Sequence, residues 1–111
     1  MKINEYKIGQ EIEFKADFEI ETFRDRKIEV KKGDKAVVTS RGFITYITGN
    51  ARDMRQVIDG MTVEGYDHRN IAKMILQRLI NVYNLEEFME YEEIESKEII
   101  DEIEDVLLEI L

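Results

Sequence analysis

From Glu11 the chain alternates strictly: Ile12, Phe14, Ala16, Phe18 and Ile20 are apolar, and Glu11, Glu13, Lys15, Asp17, Glu19 and Glu21 are charged. A period of two sends every apolar side chain to one face, so the spacing predicts a half-buried strand. Thr22 to Arg26 interrupt the pattern and Lys27-Ile28-Glu29-Val30 resumes it. Lys31-Lys32-Gly33-Asp34 then supplies a turn in which the glycine can take a positive φ. Ala36-Val37-Val38 and the aromatic, β-branched run from Phe43 to Thr48 follow as strands, parted by the turn Ser40-Arg41-Gly42. Three or four short antiparallel strands are thus expected between residues 8 and 48. Past Gly49-Asn50, the residues Met54, Val57 and Ile58 fall at helical spacing before Gly60, which predicts one to two helical turns capped by Asn50. Met61 to Tyr66 alternates again and reads as a closing strand.

The periodicity changes after Tyr66. Ile71, Ala72, Met74, Ile75, Leu76, Leu79, Ile80, Val82 and Tyr83 cover about two-thirds of a helical circumference, with Asp67 or Asn70 available as the cap. A helix this apolar needs cover on more than one side. Asn84 followed by Glu87 has the form of a capping box and predicts a short helix carrying Leu85, Phe88, Met89 and Tyr91. Ser96 is the expected cap of a last helix in which Ile99, Ile100, Ile103, Val106, Leu107, Ile110 and Leu111 fall within about 140°. Docking that face is worth on the order of 10 to 20 kcal/mol before entropy is subtracted. It is therefore expected to pack on the helix at 71–83 or on a second copy of the chain, and Leu108 widens it beyond what one neighbour covers.

The strand order, the opening Lys7-Ile8-Gly9-Gln10-Glu11-Ile12 and the turn Lys31-Lys32-Gly33-Asp34-Lys35-Ala36-Val37-Val38 resemble small Src-homology-type barrels over residues 8–66. In size, acidity and layout the whole chain is similar to small, mostly uncharacterised proteins of phages and mobile elements. The fold class expected is α+β: a small antiparallel β-barrel or meander, similar to a Src homology 3 domain, followed by two to three C-terminal α-helices. At 111 residues and 43% hydrophobic content this reads as a single domain, 1–111, with a β-rich part (1–66) and an acidic helical part (67–111).

Charge separates the two parts. Residues 1–66 hold 12 basic and 12 acidic residues, whereas residues 67–111 hold 4 and 13, so the whole formal charge of −9 lies in the second part. From Asn84 onward a single base, Lys97, faces twelve acids. Such a field repels nucleic-acid phosphate and attracts basic surfaces over about 8 to 10 Å at ordinary salt. With no cysteine there can be no disulfide, thiolate zinc site or cysteine nucleophile. No apolar run approaches the ~20 residues of a membrane span and the N-terminus lacks a signal-peptide core, so a cytoplasmic protein without membrane association is expected.

Catalytic chemistry has few candidates. His68 is the only imidazole, Ser40 and Ser96 the only serines, and the six glycines form no phosphate-cradling loop. The expectation is a non-enzymatic protein without cofactor or metal. Its leading function is to engage a basic protein surface through Glu92, Glu93, Glu95, Glu98, Asp101, Glu102, Asp105 and Glu109, in its sharper form as an inhibitor or nucleic-acid mimic of a host enzyme. An alternative is a structural or assembly protein that homo-oligomerises through the last helix. A further alternative is a nucleic-acid-binding barrel, the least favoured given the net charge. It would use a basic rim of Arg24, Arg26, Lys27, Lys31, Lys32, Lys35 and Arg41 with Phe23 and Phe43, provided the loop at 22–27 and the turn at 31–35 lie side by side.

Overall fold

A computed structural model describes residues 5–22, 24–40, 42–57 and 60–111. These residues form a mixed α+β fold in which strands precede helices, divided into two compact units, Met1–Gly65 and Tyr66–Leu111. The first unit carries β1 (Glu5–Ile8), β2 (Glu11–Glu13), β3 (Phe18–Glu21), β4 (Lys27–Val30), β5 (Lys35–Val38), β6 (Phe43–Tyr46) and β7 (Arg55–Val57), and β8 (Thr62–Tyr66) follows. The main sheet has the order β2-β5-β6-β7 and is antiparallel throughout; β3 and β4 form a separate antiparallel hairpin, and β1 pairs with β8. Among the described residues the three sheets are hydrogen-bonded separately, so these strands do not close into one barrel. They share a core instead. Ile20, Val30, Ala36, Val38, Ile44, Tyr46 and Ala51 are buried together, with Tyr6, Ile12, Phe14 and Val63 packed against them from the other strands.

The alternating run from Ile12 to Ile20 is two strands rather than one. Phe14 closes the pairing with the β5 side through Phe14 N–H to Asp34 O (2.9 Å) and Gly33 N–H to Phe14 O (2.8 Å). Lys15 to Asp17 then bend, Asp17 accepting from the Lys32 amide at 2.7 Å, and β3 leaves to pair with β4. One apolar face thus serves two sheets, with Phe14 at the corner between Phe18 (ring centroids 5.0 Å apart) and Tyr46 (5.6 Å). The helix expected after Asn50 is replaced by a turn at 50–53 and the strand β7. Tyr46 N–H bonds to Met54 O and Asp53 N–H to Tyr46 O, so this segment satisfies the open edge of β6, which a helix could not do. Ile58 lies outside the described residues.

The second unit holds α1 (His68–Tyr83), α2 (Glu86–Tyr91) and α3 (Ser96–Ile110). Asp67 caps α1, its Oδ1 accepting from the Asn70 amide at 3.0 Å. Two caps differ from expectation. Asn84 does not start α2; it ends α1 in the left-handed conformation (φ 52°), a region that asparagine tolerates. At α3 the cap is Glu95 and not Ser96: the Glu95 side chain accepts from the Glu98 amide while the Glu98 carboxylate accepts from the Glu95 amide at 2.9 Å. This is a capping box with a carboxylate in place of the usual hydroxyl.

Candidate protein-binding face

α3 packs against α1, and the start of α1 is tied to it by charge. Arg69 donates from Nη1 to the Asp101 carboxylate and to Glu104 Oε1 (3.0 Å), and Lys97 reaches Asp101 at 2.9 Å. Hydrogen bonds from Arg69, then from Lys97, hold the Asp101 carboxyl below the ordinary carboxylate range, and hydrogen bonds to Asp101, then to Glu104, push the Arg69 guanidinium up. At the same end His68 Nε2 lies 3.1 Å from Leu111 O. Arg69 was not a candidate from sequence. Its only signal there was scarcity, as one of four bases beyond residue 66.

The acidic residues named from sequence separate into two groups. Asp101 is engaged in the Arg69 and Lys97 pairs, and Glu95 and Glu98 build the α3 cap. The carboxylates of Glu92, Glu93, Glu102, Asp105 and Glu109 are exposed and take part in no ion pair or side-chain hydrogen bond among the described residues. At 100° per residue Asp105, Glu109 and Glu102 fall within about 60° of one another on α3, an unpaired negative row along one side of the helix.

The apolar face of α3 packs on α1, one of the two neighbours expected for it, and α1 covers it only in part. Ile99, Ile100, Ile103 and Leu107 are half-buried, no α3 residue is fully buried, and Val106 and Ile110 remain 51% and 72% exposed. On α1 only Ala72 and Leu76 are buried; Ile75, Leu79 and Val82, at i, i+4 and i+7, form an exposed stripe beside them. Between the helices lies an open groove of about 400 Å³ lined by Ile75, Glu102, Ile103, Val106 and Leu107. Among the described residues every exposed large hydrophobic residue except Val57 belongs to the helical unit. One apolar channel therefore runs beside the unpaired carboxylates, since Val106 follows Glu102 by one helical turn.

The basic rim is not assembled. Arg24 and Arg26 sit at the tip of the β3–β4 hairpin with Lys27 opposite Glu21, whereas Lys31, Lys32 and Lys35 follow the other end of β4. Four strand steps, about 13 Å, part Lys27 from Lys31. Lys31 and Lys35 are also paired, to Glu29 (3.9 Å) and Glu11 (3.7 Å). Phe43 is occupied by Arg55, whose guanidinium lies 4.7 Å from the ring centroid; Phe23 and Arg41 lie outside the described residues. Among the described residues no three His, Asp or Glu side chains are grouped to hold a metal ion, and no helix is long and apolar enough to cross a membrane. No protein-family model matches the chain, and comparison with curated proteins and with solved structures finds no match.

Proposed function

We propose that this is a small, non-enzymatic interaction protein of the cytoplasm whose acidic helical unit binds a basic protein surface. The observation that carries the reading is the row of exposed, unpaired carboxylates lying directly beside uncovered apolar side chains. A merely solubilising face would border a covered stripe; here polar and apolar groups are offered together, the composition of a docking surface. In its sharper form the protein occupies the nucleic-acid site of an enzyme. Glu102, Asp105 and Glu109 rise over about 10 Å of a rigid helix and present negative charge at a spacing of roughly 4 to 6 Å. A resemblance of residues 8–66 to Src-homology-type barrels belongs to the same reading, supported by the pairing of the first strand with the last and by the β5-β6-β7 meander.

The test is capture from nuclease-treated host lysate with the native chain and with a variant in which Glu92, Glu93, Glu102, Asp105 and Glu109 are changed to Lys. A protein retained by the native chain, released by added salt and lost with the variant is the expected outcome; undiminished capture by the variant would refute the reading. A second reading, self-assembly, is favoured by the exposure of Val106, Leu108 and Ile110. Light scattering discriminates, because a 13.2 kDa species at tens of micromolar excludes obligate assembly.

A further inference from the structure

The groove between α1 and α3 has the open, apolar lining of a seat for one more helix. Its floor is Ile75, Ile103, Val106 and Leu107, and the stripe Ile75-Leu79-Val82 extends it along α1. Two helices with a shared open apolar channel are the receiving half of a helix-in-groove interaction, in which the ligand contributes anchors at i, i+3, i+4 and i+7. The rim decides the ligand's charge. On the α3 side stand Glu102 and Glu109, one turn to either side of a line through Val106, and neither is in an ion pair among the described residues. A second copy of this chain would bring its own row of carboxylates against them, and like charges brought together in a partly desolvated seam cost free energy. The α1 rim differs, since Arg78 flanks the stripe there by the helical spacing.

Resting on the proposed function, we infer that this groove receives a basic amphipathic helix of the partner protein. The apolar stripe of that helix fills the space over Ile75 and Val106, and its lysines or arginines meet Glu102 and Glu109. The flank facing Arg78 is neutral or acidic, which gives the bound helix a fixed orientation.

The experiment uses the full chain and a fluorescent leucine–lysine peptide of about 14 residues, roughly 21 Å as a helix, with leucines at helical spacing. A second peptide of the same composition has its order scrambled so that no stripe forms. Anisotropy at about 0.15 M salt should give at least about tenfold tighter binding for the patterned peptide. Val106→Asp and, as a second variant at a more exposed site, Ile110→Asp should each weaken that binding by about tenfold with unchanged helical circular dichroism. Both variants add negative charge, so purely electrostatic association would tighten instead. Unchanged or tighter binding would overturn the groove while leaving the acidic-surface reading in place. Failure of both peptides to bind, even at low salt, would remove the two together. A dimer at tens of micromolar that Ile110→Asp converts to monomer would assign the groove to a second copy and overturn the partner helix.

Discussion

Glu93 offers a separation of a structural role from the proposed binding role within one residue. It follows α2 with φ 55°, and the bonds from Glu93 N–H to Glu90 O (3.2 Å) and from Ile94 N–H to Met89 O (2.8 Å) close the helix in a Schellman arrangement. The left-handed conformation costs a residue with a Cβ about 1 to 2 kcal/mol, and glycine removes that cost while giving back roughly 0.5 to 1 kcal/mol through its looser unfolded state. Glu93→Gly should therefore stabilise the protein by about 0.5 to 1 kcal/mol. At a urea slope of roughly 1 to 2 kcal/mol/M the midpoint followed by circular dichroism moves up by about 0.5 M. Removing a carboxylate from a crowded negative segment also relieves repulsion, so Glu93→Gln is the control: it loses the charge and keeps the strained φ. The two variants should weaken binding of the patterned lysine peptide equally, but only the glycine should gain stability. Equal stabilisation by both, or destabilisation by glycine, would refute the assignment of strain to this backbone.

Gly49 (φ 76°) abuts the Asp34 carboxylate, and a Cβ there would lie 2.6 Å from Asp34 Cγ and displace the group that accepts from the Lys31 amide at 2.9 Å. Gly49→Ala should cost about 2 to 3 kcal/mol, against about 1 to 2 for Gly33→Ala (φ 93°), where nothing lies within 4 Å; equal losses in urea melts would disprove the Asp34 clash. The Asp101 carboxyl, lowered by Arg69 and then Lys97, contributes stability that is present above its unfolded pKa and is lost as the pH falls through the lower folded value. In urea titrations from neutral to acid pH, Arg69→Gln should flatten that acid limb, and an unchanged limb would show that the pair does not couple α1 to α3.

Much of the fold was legible because local rules and tertiary demands agreed. The period of two marked β3 and β4, the apolar, β-branched runs between turns marked β5 and β6, Asp67 was one of two caps expected for α1, and the alternation of Met61 to Tyr66 anticipated β8. Disagreement arose where one signal had two uses. Asn84 with Glu87 fits an N-terminal box and a left-handed C-terminal cap equally well, and the end of α1 claimed it. Ser96 is the better cap by residue type, yet Glu98 stands three positions after Glu95 and completes a reciprocal box only with that residue. Met54, Val57 and Ile58 gave helical spacing from three residues alone, and the open edge of β6 prevailed.

The candidate face shows the same division. Sequence by itself determined that the negative charge gathers beyond residue 66 and that α3 has an apolar side, because both are sums and periodicities along one helix. Only the tertiary structure decided how those groups are spent: Arg69 and Lys97 take Asp101, the α3 cap takes Glu95 and Glu98, and Glu102, Asp105 and Glu109 are in no ion pair among the described residues. It likewise set the candidate basic rim at opposite ends of β4. Neither result can be read from a linear pattern, because pairing and burial depend on distances across elements. Which part of an apolar stripe stays in water depends on how much of it a neighbouring helix covers.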